Sequence, residues 1–140
     1  TGINYNTTEN MKVAIAEAAP NGVDIYFDNV GGPISDAVLF NINRFARLVI
    51  CGAISVYNNT KLPKSLSVQP FLVRNSALMQ GFIVSNYTEK FPEAMKQLSD
   101  WIAADKLNYS ETIVNGFENI PKAFIDLFEG RNKGKMIVQI

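Results

Sequence analysis

Two short clusters in this sequence combine residue types that can do chemistry: Asp28, Asn29, Gly31 and Gly32 in DNVGG, and Cys51, Gly52, Ala53, Ser55 and Tyr57 in CGAISVY. Each follows an apolar run that reads as a strand. Glycine and other small residues at a strand end let backbone come close to a flat ligand. A tyrosine hydroxyl beside that ligand can donate a hydrogen bond to an oxygen that is gaining charge. The same residues also have plainer uses. DNVGG can be a polar turn whose glycines take positive φ, the small residues can serve tight packing, Tyr57 can be a partly buried loop residue, and Cys51 can be an inert core thiol. The carboxylates are scattered, Asp24 and Asp28 sitting four apart on an expected strand, so no acid/base pair for a hydrolase stands out.

The spacing of apolar residues assigns the elements that must hold these clusters. Ile3 and Tyr5 alternate like the end of a strand, and Thr7 or Thr8 is placed to cap a helix with Met11, Ile15 and Ala18 or Ala19 on one face. Pro20, Asn21 and Gly22 stop that helix. A short strand is expected over residues 23–27, then a helix entered through Gly31, Gly32 and Pro33 with Val38, Leu39 and Ile42 as its buried stripe. The run 46–51 reads as a central parallel strand covered on both faces. Residues 55–69 lack periodicity and form a loop long enough to suspect function. A short helix is expected at 70–75, a strand at 78–84, and an amphipathic helix at 91–106 with Met95, Leu98, Trp101 and Ile102 inward. A strand at 112–114 follows, then a helix capped by Asn119 with Phe124, Leu127 and Phe128 inward and ended by Gly130, and a last strand at 136–140. Strands alternating with helices at these intervals predict an α/β fold: a partial Rossmann-like doubly wound parallel sheet with flanking helices. Ligands of such sheets lie along the carboxyl edge. The turn G-x-G-x-x-G that would hold a pyrophosphate does not occur in the sequence, so the fold is expected to lack its first βαβ segment.

Composition narrows the partners. Thirteen basic and thirteen acidic residues cancel over 140 residues, which removes the electrostatic footprint of a nucleic-acid binder. No apolar run reaches the length of a membrane span and no leader is evident. The single cysteine excludes an internal disulfide framework and fits a reducing, cytoplasmic compartment. Histidine is absent, which removes the commonest general acid/base and transition-metal ligand together, and no metal is expected.

Five segments carry a resemblance: INYNT (residues 3–7), YFDNVGG (26–32), ICGAISVYN (50–58), GFENIPKAF (116–124) and GKMIVQI (134–140). Together they resemble the medium-chain dehydrogenase/reductase superfamily, and within it the zinc-independent group of prostaglandin reductases, leukotriene B4 12-hydroxydehydrogenases and alkenal double-bond reductases. The resemblance covers essentially the whole chain. It implies NADP as cofactor and reduction of the carbon–carbon double bond of an α,β-unsaturated aldehyde or ketone, with hydride going to the β-carbon and the enolate then protonated. It implies that Tyr5 lies near the 2′-phosphate, that Asn29 faces the cofactor, and that Cys51, Gly52, Ala53, Ile54, Ser55 and Tyr57 run along the nicotinamide half. It implies that Phe82, Ile83 and Val84 meet the carboxamide, and that Asn132 is a further cofactor contact. Tyr57, beside the nicotinamide and the substrate oxygen, is the implied catalytic residue.

The resemblance further implies that residues 1–134 are the C-terminal part of an NADP-binding domain, and that residues 135–140 return as a strand to a GroES-like catalytic domain upstream. The pyrophosphate loop and a lysine for the 2′-phosphate are expected upstream too. Ala46 stands where relatives commonly have glycine, which is easily accommodated if its φ is negative. A small enone or alkenal is the expected partner, without nucleic acid or membrane, and a homodimer through the sheet edge at 78–84 is expected. Two other readings stand beside this one: a quinone reductase of the same superfamily, and an inactive structural or dimerising module.

Overall fold

The computed structural model describes residues 1–61 and 63–140. The chain forms two compact units, residues 1–88 and residues 89–140. In the first unit the order is α1 (Met11–Ala18), β1 (Val23–Asp28), α2 (Gly32–Leu39), β2 (Ile42–Ile50), a 3₁₀ turn (Ile54–Val56), α3 (Gln69–Asn75) and β3 (Leu78–Gly81), with a further 3₁₀ segment starting at Val84. All three strands run parallel in the order β1-β2-β3. The α/β class and the flanking helices follow the sequence reading.

Register explains where the core sits. Tyr26, Leu48 and Met79 are level across the sheet, and side chains alternate between faces along a strand. This row joins Ile15 of α1, Ala37, Val38 and Leu39 of α2, and Phe71 and Leu72 of α3 in one apolar cluster, with Leu48 1% exposed at its centre. The alternate rows, Ile25, Arg47 and Leu78, and Phe27, Val49 and Gln80, point to the other face. There Ile25 and Phe27 are 71% and 55% exposed. The expectation that β2 is covered on both faces is therefore corrected: its one-sided burial follows from α1, α2 and α3 contributing to a single cluster.

Several boundaries differ from the spacing. Residues 1–7 make no strand. The Asn4 carbonyl accepts from the Thr7 amide and the Thr8 hydroxyl, which closes a turn through Tyr5. The cap of α1 is Asn10, whose side chain accepts from the Val13 amide, rather than Thr7 or Thr8. Ile42 is buried but opens β2 instead of ending α2, because the Asn41 amide side chain ties the Ala37 carbonyl to the Lys12 carbonyl and the chain leaves the helix there. Positive φ falls on Phe45 (65°), at the irregularity between the Val23–Ile42 and Ile25–Arg47 pairs, and not on Ala46. The left-handed conformation costs a non-glycine residue about 1–2 kcal/mol. The Arg44 guanidinium lies 4.8 Å from the Phe45 ring centroid. The loop expected at 55–69 begins inside a 3₁₀ turn and ends at α3, and its Leu62 lies outside the described residues. The strand expected at 78–84 stops at Gly81.

In the second unit α4 (Phe91–Ala103) precedes β4 (Glu111–Asn115), a 3₁₀ turn (Phe117–Asn119), α5 (Ile120–Phe128) and β5 (Lys135–Gln139). β4 and β5 pair in parallel from Glu111–Lys135 to Asn115–Gln139. The apolar faces of both helices form at the expected positions, yet Met95, Leu98, Trp101, Ile102, Phe124, Leu127 and Phe128 are all exposed, so their expected place in a core is corrected. A two-stranded sheet offers too little apolar surface to cover them. Asn119 precedes α5 without capping it by its side chain, which donates to the Asn115 carbonyl instead.

Gly134 has φ 75°, and a Cβ there would run into the Ser110 carbonyl, which accepts from the Lys135 amide at the start of the β4–β5 pair. Gly134→Ala is expected to destabilise the second unit by about 2 kcal/mol or more. Urea denaturation, with hydrogen exchange of the β5 amides as the local readout, checks this.

Candidate functional site

The ends of the three parallel strands are level: Asp28 pairs with Ile50, and Ile50 with Gly81. The loops that begin at Asn29, Cys51 and Phe82 therefore leave the sheet side by side along its carboxyl edge. Backbone bonds extend the ladder past the strands. The Asp28 carbonyl accepts from the amides of Cys51 (2.8 Å) and Gly52 (3.1 Å), and the Ile50 carbonyl accepts from the Phe82 amide at 3.1 Å.

Gly52 is the close point of this edge. A Cβ at that position would lie 3.0 Å from the Tyr57 hydroxyl oxygen and 3.1 Å from the Asn29 carbonyl oxygen. Asn29 and Tyr57 thus flank a single spot on the same edge. The turn at Ile54–Val56 brings the tyrosine back over its own loop, so that the Ala53 amide donates to the phenol oxygen at 3.0 Å. With its oxygen already accepting, the Tyr57 hydroxyl keeps its proton for an outside acceptor. The ring is 65% exposed.

Two open grooves border this edge. One, of about 520 Å³, is lined by Cys51, Gly52, Ala53, Tyr57, Phe82 and Ile83 together with Ile50, Gly81 and Asn86. The other, of about 430 Å³, is lined by Tyr5, Thr8, Glu9 and Met11 on one side and by Val30, Gly31, Pro33, Ile34 and Ser55 on the other. Of the residues expected from the sequence, the first groove gathers six and the second gathers Tyr5 and Ser55. Ile54 and Val84 are exposed and line neither, because each opens a 3₁₀ segment. Asn29 contributes its carbonyl oxygen at Gly52 and accepts there from the Ile54 amide at 3.2 Å. Asn132 belongs to the second unit, where its side-chain amide donates to the Gly134 carbonyl at 2.7 Å. Asn86, on the groove wall, was not singled out by spacing. It follows the strand in a 3₁₀ segment that has no apolar period to mark it.

Asp28 is the one buried charged side chain recorded, at 2% exposure. Burial disfavours its charge. The amides of Gly31 and Val30, each donating to Oδ1 at 2.9 Å, outweigh that effect, with Ser35 and Tyr26 adding to them, so the carboxyl titrates below its ordinary value of 3.8. Burial first, and the Asp28 charge second, push the neighbouring Tyr26 phenol above its usual range.

The sequence model of the zinc-binding dehydrogenase family matches residues 2–138. The chain belongs to that family, within the medium-chain dehydrogenase/reductase superfamily. It is 53% identical to the Bacillus subtilis protein named NADP-dependent oxidoreductase YfmJ over 99% of this chain and 41% of that one. It is 42% identical to pig prostaglandin reductase 1 over 97% of this chain and 42% of the relative. The crystal structure of CurA from Vibrio vulnificus in complex with NADPH superposes with a TM-score of 0.85 at 40% identity, covering 95% of this chain and 41% of that one. The chain spans about two fifths of the length of these relatives.

The zinc of the family's description is not matched by the donors present. The chain has no histidine and one cysteine, and among the described residues no three of Cys, Asp and Glu converge. A nicotinamide nucleotide fits better. Small residues line both grooves: Gly52 and Ala53 in the first, and Gly31, with φ of 69°, in the second.

Two outcomes follow. Gly52→Ala is expected to push the Tyr57 hydroxyl off the Ala53 amide while the fold persists, and a crystal structure of the variant reads that displacement directly. The Asp28 carboxyl, lowered in the folded chain, contributes stability above its unfolded value near pH 3.8 and loses it as pH falls through the folded value. Melting temperature should therefore drop on acidification below about pH 4, and drop less in Asp28→Asn, as differential scanning fluorimetry across pH 2.5–6 would record.

Proposed function

We propose that this chain is the nucleotide-binding portion of an NADPH-dependent reductase that saturates the carbon–carbon double bond of small α,β-unsaturated aldehydes and ketones. The observation that carries this reading is that the Tyr57 hydroxyl and the Asn29 carbonyl would both come within 3.1 Å of a Cβ on Gly52, at the carboxyl edge of the sheet. The names of its relatives, an NADP-dependent oxidoreductase and a prostaglandin reductase, support the same class. The 520 Å³ groove takes the nicotinamide half, with Phe82 and Ile83 toward its carboxamide and Val84 just beyond them in sequence, and the groove at Tyr5 takes the phosphorylated ribose. Asn132 is a further proposed cofactor contact on the resemblance alone. NADPH, when bound, supplies the hydride that goes to the β-carbon.

Tyr57 then faces the substrate carbonyl. Its oxygen is held by the Ala53 amide, so its proton points to the substrate oxygen, where negative charge grows as the double bond is reduced. A donor already in place costs no reorganisation at that moment. Cys51 and Asn86 wall the same groove without a charge that would bind a different substrate class.

In this reading residues 1–134 belong to the nucleotide domain and residues 135–140 lead back to a catalytic domain supplied by the rest of the length its relatives have. The protein is assigned to the cytoplasm, where an unpaired Cys51 persists. It is also assigned as a homodimer joined at β3, the last strand in the order β1-β2-β3.

A protein that joins this chain to the remaining domain is expected to oxidise NADPH in the presence of a short alkenal or enone, faster than with a quinone. Tyr57→Phe is expected to lower kcat about a hundred-fold with the NADPH dissociation constant unchanged. Equal turnover of variant and wild type removes Tyr57 from the chemistry. Faster quinone turnover reassigns the substrate.

A further inference from the structure

We propose that Asp28 is the positioning residue of this site, acting on Tyr57 through two peptide planes. The inference rests on the reading of the grooves given above and deepens it.

A trans peptide unit points its N–H and its C=O in opposite directions. The peptide joining Asn29 to Val30 sends its N–H to Asp28 Oδ1 at 2.9 Å and its C=O to the Ile54 amide at 3.2 Å. The next peptide, from Val30 to Gly31, does the same: its N–H reaches Asp28 Oδ1 at 2.9 Å and its C=O receives the Ser55 amide at 3.0 Å. One buried carboxylate oxygen therefore orients two consecutive peptides, and their far ends hold the start of the 3₁₀ turn that carries Tyr57. Gly31 permits this, because its φ of 69° with ψ of −162° lies where only glycine rests without strain. Bonds to a charged acceptor are the stronger kind, so the carboxylate end is the firm one.

Asp28 touches no groove. It lies on the core side of the sheet, level with Ile50 and Gly81, and neither groove counts it among its lining residues. Its carboxylate reaches the turn that carries Tyr57 through Ile54 and Ser55, and separately meets Ser35 and Tyr26. A residue that only supported the fold would loosen the cluster around Leu48 and Val38 when removed. A positioning residue loosens Ile54 and Ser55 and leaves that cluster alone.

The test is residue-resolved amide exchange on wild type, Asp28→Ala and Asp28→Asn, with NADPH kinetics in the protein carrying the complete chain. Asp28→Ala is expected to speed exchange at Ile54 and Ser55 about ten-fold or more, with Val38 and Leu48 unchanged. Asp28→Asn, which keeps an acceptor of the same shape without charge, should recover most of that protection. Should Asp28→Ala fail to fold, Asp28→Asn carries the test alone, with a rise at Ile54 and Ser55 of about three-fold expected. In the kinetic arm Asp28→Ala lowers kcat, and Asp28→Asn restores it toward wild type. Exchange at Ile54 and Ser55 that does not change, or that rises equally at Val38 and Leu48, overturns the proposal, as does an unchanged kcat. Exchange needs neither nucleotide nor substrate. A wild-type protein that fails to oxidise NADPH therefore defeats the functional reading, while the exchange result still decides the role of Asp28.

Discussion

The parallel register that ends β1, β2 and β3 at Asp28, Ile50 and Gly81 is the constraint on which the rest depends. It is fixed by the core, since a slip of one residue would turn Tyr26, Leu48 and Met79 out of the cluster formed with α1, α2 and α3. Because the strands are level at their carboxyl ends, three loops start abreast. Because the loops start abreast, backbone groups from one can bond to backbone groups of the next. The site is thus largely main chain, and its side chains need only be small enough not to interfere, which is what Gly31, Gly32, Gly52 and Ala53 provide.

The sequence made the framework legible where physics is local. Gly31, Gly32 and Pro33 announce α2, and the apolar run through Leu48 announces a strand, since turn chemistry and hydrophobic period act over a few residues. What it concealed depends on distant partners. Ile42 has the spacing of a helix residue, and only the Asn41 bonds to the Ala37 and Lys12 carbonyls reveal that the helix has already ended. Positive φ at Phe45 carries no composition signal, because glycine would have been the expected residue there. The faces of α4 and α5 read as core from their period, but period states which residues share a side and not whether anything covers them.

The candidate site divides along the same line. Gly52, Ala53, Ser55 and Tyr57 were visible as small and polar residues after a strand, and the fold puts Gly52, Ala53 and Tyr57 on one groove and Ser55 on the other. Asp28 was visible only as one member of a polar turn. Its pair of amide partners lies within three residues, a pattern common in turns, so spacing alone gives no reason to separate it from others. What distinguishes it is the second half of each peptide, bonded to Ile54 and Ser55 more than twenty positions away.

The absence of histidine also acquires a physical sense. The 520 Å³ groove is lined by neutral groups, and the one buried charge recorded, Asp28, is turned away from it toward its own loop amides. In the proposed reaction a neutral wall gains little from a neutral carbonyl compound in its ground state, and gains more when charge appears on the carbonyl oxygen during reduction. That difference is what accelerates a reaction. Tyr57 is suited to it because the Ala53 amide occupies its oxygen and leaves one proton with one direction to go. A histidine in the same place would bring a charge that changes with pH and a second nitrogen that needs its own partner. A phenol oriented by backbone needs neither, provided the backbone itself is held, and in this fold that condition falls on the two peptides between Asn29 and Gly31.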